Sequence, residues 1–212
     1  MTNSTSIQND QTQVEGRHAG KVALVMGGAR GIGAGIVRRL AAEGARVTFT
    51  YASATAEADA LVSHIAESGG RAAAVKANSA DRTQVREVIS AVTAQKMRLD
   101  IVVSHAGGGT KKRPDDVTSV YGMTKGAVAS LVRGMSRELG PRGITINNVQ
   151  PGPVNTPANP EDGPFGDTLR ATIPVGRFGR VDEVASLVSH LASDDGAYIN
   201  GASLDIDGGY SA

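Results

Sequence analysis

The chain has 212 residues, of which 40% are hydrophobic and 27 are glycine, enough for one domain with a sizeable core and unlike a disordered or fibrous chain; glycine at about 13% is nearly twice its ordinary ~7% usage. With 22 Lys+Arg against 21 Asp+Glu the net charge is +1, so nothing global favours nucleic acid, an anionic membrane or a polyanion, and a small-molecule partner is expected. The absence of cysteine excludes a disulfide framework, a thiolate metal site and a cysteine nucleophile, and four scattered histidines do not suggest a metal set, so redox chemistry would need a borrowed cofactor.

Residues 1–18 are polar, without an apolar h-region or an Arg-rich amphipathic pattern, and read as a disordered extension ahead of a single domain over 19–212. Cytoplasmic residence is the expectation, and no run of about 18 apolar residues is present to span a membrane. From Lys21 short apolar runs alternate with helical periodicity: strand Val22–Met26, helix Ile32–Glu43, strand Val47–Tyr51, helix Thr55–Ser68, strand Ala72–Lys76, helix Arg82–Gln95, strand Leu99–Val103. That alternation predicts parallel strands with crossover helices. Further on, Tyr121–Leu139 reads as a helix with Val128, Leu131, Val132 and Met135 spaced to face a core. Ile144–Val149 is expected as a strand, 151–180 as a long Pro/Gly-rich loop, Val181–Ala192 as a helix and Ser203–Asp207 as the last strand.

Directly after the first strand stands Gly27-Gly28-Ala29-Arg30-Gly31-Ile32-Gly33, opening into a helix. Glycines there allow a tight reversal, a bare backbone against a pyrophosphate and close helix-strand packing, while the helix N-terminus offers free N–H groups to the anion. A dinucleotide site follows, with a merely tight turn as the alternative. The second strand ends in Thr50-Tyr51-Ala52-Ser53, with no carboxylate to hold a ribose 2′-hydroxyl or to repel a 2′-phosphate. Arg30 can supply a guanidinium to that phosphate, so NADP(H) is favoured over NAD(H) unless Arg30 is simply a solvated loop residue.

The GxxxGxG spacing resembles the cofactor turn of the short-chain dehydrogenase/reductase family, and the resemblance runs from about Lys21 to the C-terminus, nearest to the 3-oxoacyl-acyl-carrier-protein-reductase-like branch. Met26 stands where that family usually has threonine, which removes one hydroxyl hydrogen bond from the turn. Asn78-Ser79 holds the place of an adenine-contacting aspartate. Ser104-His105-Ala106-Gly107 resembles NNAG, with Ala106 and Gly107 keeping close backbone approach and His105 readable as a general base or a position-holding polar residue. Tyr121-Gly122-Met123-Thr124-Lys125 matches YxxxK, whose i, i+4 spacing puts both side chains on one helical face. The resemblance implies Tyr121 as acid/base and Lys125 as the cation that lowers its pKa from about 10 and binds the nicotinamide ribose. A tyrosine and a lysine on a surface helix are the plain alternative. Pro151-Gly152-Pro153-Val154-Asn155-Thr156 resembles the PG loop, with Val154 on the carboxamide through its backbone and Thr156 on a phosphate. Pro157–Pro174 resembles the substrate lid.

The resemblance implies a doubly wound, Rossmann-like, mostly parallel α/β sheet that interconverts a ketone and a secondary alcohol by hydride transfer with NADP(H). The departure lies between Gly107 and Tyr121, where 13 residues, Gly108 to Val120, replace a helix, a strand and the loop bearing the substrate-holding serine; a helix of ~11 and a strand of ~5 do not fit there. By position that serine is Gly108. Thr118 and Ser119 offer hydroxyls just ahead of Tyr121, in positions more typical of an N-cap. Ile144–Val149 is then topologically free to pair beside Leu99–Val103 with the Tyr121 helix as its crossover. The missing helix belongs to the face by which the family usually dimerises, so a homo-oligomer stays open, as does a non-catalytic NADP(H)-binding protein. Lys111-Lys112-Arg113 is followed at once by Asp115 and Asp116 and reads as a solvated loop.

Overall fold

The computed structural model describes residues 16–96, 98–105 and 118–212, with the backbone alone for 95, 96 and 118–121. Strands β1 (Val22–Met26), β2 (Arg46–Tyr51), β3 (Arg71–Lys76) and β4 (Ile101–Ser104) form a parallel sheet in the order β3-β2-β1-β4. Helices α1 (Gly31–Ala42), α2 (Thr55–Glu67) and α3 (Arg82–Lys96) are its crossovers. Alternate residues of β1 feed two cores. Ala23 and Val25 pack with Ile36, Val37, Leu40, Phe49 and Ile65 on the α1/α2 side, and Val22 and Leu24 with Val88 and Val92 on the α3 side. Helices on both faces bury the central strand β1 on both of its faces, which is why it reads as a continuous apolar run, while the edge strands β3 and β4 keep exposed positions such as Ala73 and Val102.

The second half adds a two-stranded sheet to the same domain. After the long helix α4 (Thr118–Leu139), strand β5 (Asn148–Pro151) pairs in parallel with β6 (Ser203–Ile206), and with no other strand among the described residues. Between them come the short helix α5 (Pro164–Arg170), inside the stretch read as loop, and α6 (Val181–Leu191). The pairing of Ile144–Val149 beside β4 is not formed. Instead the chain before β5 is held by amide side chains. The Ile146 N–H donates to Asn200 Oδ1 at 3.0 Å, Asn147 Nδ2 to the Ile199 carbonyl at 2.7 Å, and the Ala202 N–H to Asn147 Oδ1 at 3.1 Å. These bonds satisfy the backbone without a sheet ladder, so the strand starts at Asn148 rather than Ile144.

Among the described residues β4 is an edge strand, and apolar surface beside it is exposed. Val102 is 55% exposed, and on α4 Met123, Val128 and Leu131 are 67%, 44% and 59% exposed, while Val132 is buried. The core-facing expectation for α4 therefore holds for Val132, holds in part for the half-buried Met135, and fails for Val128 and Leu131, because no described strand beyond β4 gives that face a layer to lie on.

The two parts of the domain meet where α6 lies along α1. Gly35 makes this approach possible, since a Cβ there would sit 2.1 Å from Val181 Cγ1. The contact is closed from the N-terminal side by His18. Residues 1–15 lie outside the described residues, but Gly16, Arg17 and His18 belong to the packed domain, so ordered packing starts earlier than residue 19. The His18 ring is fully buried, and the backbone N–H of His18 donates to the Glu43 carbonyl at 2.8 Å. Ser189 Oγ donates to Glu43 Oε2 and lies 3.1 Å from His18 Nε2. With the serine proton committed to the carboxylate, Nε2 carries the imidazole proton and Nδ1 is left as a buried acceptor with no partner among the described residues.

Protonating Nδ1 would create a buried, unpartnered donor, so burial holds the His18 pKa below its ordinary 6.5, against the opposing pull of Glu43 and with help from Lys21 and Arg17. The unfolded chain takes up a proton below pH 6.5 that the native chain refuses, so stability is present above that value and is lost as the pH falls through the lower native pKa. Urea midpoints are expected to decline as the pH is taken below about 6.5, and to decline less steeply in His18→Leu. An identical slope in the variant would remove His18 from this role.

Candidate active site

The phosphate-type turn lies at the carboxyl end of β1, in the crevice where open α/β sheets bind ligands. Gly27 takes φ +81°, a region L side chains avoid. Its N–H donates to Thr50 Oγ1 at 3.2 Å and the Gly28 N–H to the Thr50 carbonyl at 2.9 Å. Thr50 is 3% exposed, so β2 supplies the hydroxyl anchor that Met26 cannot. This residue was legible only as one alternate position of a strand. At Gly33 a Cβ would lie 2.1 Å from the Gly27 carbonyl oxygen and 3.0 Å from His105 Cδ2, so only a glycine lets α1 start this close to the turn. Arg30 occupies the N-cap of α1 without a side-chain cap bond, which leaves the leading N–H groups, over Gly31, Ile32 and Gly33, for an anion.

The PG loop closes over the same turn. A Cβ on Gly31 would lie 3.5 Å from Thr156 Cγ2, which places Thr156 beside the N-terminus of α1. Val154 is 4% exposed and forms a bridge with Gly179, the Asn155 N–H donating to the Gly179 carbonyl at 3.0 Å and the Gly179 N–H to the Pro153 carbonyl at 2.9 Å. Asn159, not singled out from the sequence, donates from Nδ2 to the Val154 carbonyl at 3.2 Å and exchanges backbone bonds with Thr156. Pro151 ends β5. Gly152 abuts Asp207, where a Cβ would meet Asp207 Cβ at 2.5 Å.

On the far side of the crevice, Ser53 and Asn78 are exposed and Ser79 is half-buried. Asn78 Oδ1 already accepts the Ala80 N–H at 3.0 Å, and the Asn78 N–H donates to Gln84 Oε1 at 2.8 Å. One acceptor lone pair of the amide oxygen is thus committed to the local turn. Arg30 is more than half exposed at the turn, with its guanidinium 3.7 Å from Glu57 Oε1. The end of β2 carries no carboxylate, as read, yet α2 brings one to Arg30 from its first turn.

Ala106, Gly107 and Gly108 lie outside the described residues, as do the side chains of Thr118, Ser119 and Tyr121. The backbone of α4 carries Tyr121 and Lys125 one helical turn apart. His105 follows β4, its N–H donating to the Met26 carbonyl at 3.1 Å. Burial holds its pKa below 6.5, and the Lys125 charge adds to that. The Lys125 charge is thus felt at the carboxyl end of β4, where His105 abuts Gly33 of the turn. A neutral imidazole wedged against the α1 N-terminus fits the position-holding reading of His105. Among the described residues no cluster of His, Asp or Glu could hold a metal, and no helix is long and apolar enough to cross a membrane.

Comparison with known proteins places this arrangement. The short chain dehydrogenase family model matches residues 21–118, and the model described as enoyl-(acyl carrier protein) reductase matches residues 110–211. The chain is 35% identical to the cyclic-di-GMP-binding biofilm dispersal mediator protein of Escherichia coli over 93% of this chain and 100% of that protein. That alignment spans 245 positions, more than the 212 residues here, so the relative carries residues with no counterpart in this chain. Identity to a 3-oxoacyl-acyl-carrier-protein reductase of Staphylococcus epidermidis is 31% over 89% of this chain and 98% of that protein. A short chain dehydrogenase from Burkholderia cenocepacia, solved in complex with NADP, superposes with a TM-score of 0.87 at 36% identity, over 92% of this chain and 100% of that one. With two family models meeting across the chain and relatives above 30% identity matched over nearly their whole length, the chain belongs to the short-chain dehydrogenase/reductase family of oxidoreductases, in its 3-oxoacyl-acyl-carrier-protein-reductase-like branch.

Proposed function

We propose that the protein is an NADP(H)-dependent oxidoreductase that interconverts a small ketone and the corresponding secondary alcohol. The observation that carries this reading is the bare cradle at Gly27 and Gly33. A Cβ at Gly33 would strike the Gly27 carbonyl, while Thr50 holds the turn open from beneath. Family relatives solved with NADP or NADPH add support for the cofactor. So does a relative named cyclohexanol dehydrogenase, from Rhodococcus, for the substrate class.

In this reading the leading N–H groups of α1, with Thr156, receive the pyrophosphate, and Arg30 receives the 2′-phosphate as a planar, permanently charged fork. The backbone of Val154 serves the carboxamide. When bound, NADP(H) supplies or accepts the hydride. The phenol of Tyr121 gives its proton to the carbonyl oxygen as that oxygen becomes an alcohol, and in the reverse direction the phenolate takes it back. Lys125 favours the phenolate and brings the tyrosine from about 10 toward neutral pH. The connection over 105–117 supplies no serine at the family's position; losing one such oxyanion-type donor costs about 10²–10³ in turnover, which leaves a slow enzyme rather than an inert one.

Direct titration is expected to give tighter binding of NADPH than of NADH, and the reverse order would remove the NADP(H) assignment. Gly33→Ala is expected to weaken NADPH binding by about tenfold or more, because α1 must shift away from the turn to admit the methyl group. Tyr121→Phe is expected to lower ketone reduction by roughly 10²–10⁴ while the NADPH affinity stays within about twofold. NADPH binding with no turnover across a panel of ketones, and no effect of Tyr121→Phe, would leave a cofactor-binding protein without catalysis.

A further inference from the structure

The crevice holds a carboxylate that the cofactor reading does not use. Glu57 lies in the first turn of α2, and its Oε1 is 3.7 Å from Arg30 Nη1, with side chains 50% and 62% exposed. The geometry is loose. Elsewhere in the molecule Arg98 grips Asp100 at 2.6 Å and Arg177 grips Glu183 at 2.7 Å, each through two guanidinium nitrogens or a fork of contacts. A guanidinium held at 3.7 Å by one oxygen keeps most of its five donors for another acceptor, and an exposed pair of this kind is worth little by itself. Its position gives it importance. Arg30 caps α1 and Glu57 opens α2, so the pair bridges the carboxyl ends of β1 and β2, where the adenosine ribose of a dinucleotide lies in this class of sheet.

Two nucleotides would meet this pair differently. A 2′-phosphate brings two negative charges to the guanidinium and must displace or share it with a carboxylate of the same sign. A ribose 2′-hydroxyl carries no charge and can donate a hydrogen bond to that carboxylate. One side chain therefore weakens the first ligand and tolerates or helps the second. We propose that Glu57 is a specificity-determining residue, which tempers the preference of this site for NADP(H) over NAD(H) by competing with the 2′-phosphate for Arg30. The proposal rests on the reading of the crevice as an NADP(H) site. An acidic residue in the first turn also suits the helix dipole of α2, but that role affects stability and not the ratio of two nucleotide affinities.

The test is direct binding of NADPH, NADH and adenosine 2′,5′-bisphosphate to the full chain, wild type and Glu57→Gln, each also in an Arg30→Ala background. Glu57→Gln is expected to tighten NADPH and the bisphosphate by about threefold to tenfold at low salt, with less gain at high salt, and to leave NADH unchanged or weaker. In the Arg30→Ala background the same substitution is expected to gain less than half as much. Thermal midpoints of wild type and Glu57→Gln are expected to agree within about 3 °C. An unchanged NADPH to NADH ratio in Glu57→Gln, or weaker NADPH, overturns the proposal while the NADP(H) reading stands on the wild-type affinities. A full gain without Arg30 overturns the competition. Wild-type protein that binds neither nucleotide overturns both.

Discussion

The molecule is organised by one close approach, that of the N-terminus of α1 to the carbonyl of Gly27. Everything near the crevice is positioned by it. The glycine at 33 admits the contact, Thr50 fixes the turn from the neighbouring strand, His105 fills the space on the other side of Gly33, and Thr156 lies over Gly31. The same helix then carries Gly35 against Val181, which is how the β5-β6 sheet is docked. Phosphate-turn geometry and the packing of the β5-β6 sheet are thus properties of opposite faces of a single twelve-residue helix.

The first half of the fold was legible because its signals are local. Apolar runs of strand length alternate with helical periodicity, and a glycine-rich turn stands at the one junction where it has a physical task. The positions of β1 to β4 follow directly, and so do Gly27, Gly31 and Gly33. What escaped the sequence was relational. Thr50 lies in a strand whose pattern only says that it is buried, not that its hydroxyl meets an N–H of the turn. Glu57 stands six residues beyond the end of β2, so a search for an acid at the strand end passes over it, although the start of α2 turns back toward Arg30. Asn159 belongs to a loop whose closure on Val154 no periodicity encodes.

The shortening between Gly107 and Tyr121 was also plain from spacing, but its consequence was not. A sequence argument allows β5 to slide over and complete the sheet. That would require Ile144 to Asn147 to trade the amide bonds from Asn147 and Asn200 for ladder bonds, with α4 carried along. The asparagine network keeps this segment with the β6 side, and the described strands stay in two sheets. Apolar residues of α4 chosen for a continuous sheet, Val128 and Leu131 among them, are left at the surface as a result.

Two sheets in place of one change what holds the crevice shut. In an uninterrupted sheet, backbone ladders tie the turn after β1 to the loop after β5. Here the described connections are side-chain packing along α1 and α6, the polar contacts that join His18, Glu43, Lys21 and Arg17 to Ser189, Asp194 and Asp195, and the seat of Thr156 beside Gly31. A ligand that reached from the turn to Val154 would itself bridge the two halves, so part of its binding free energy would act as cohesion between them. For this chain, occupancy of the crevice and integrity of the fold become one linked equilibrium.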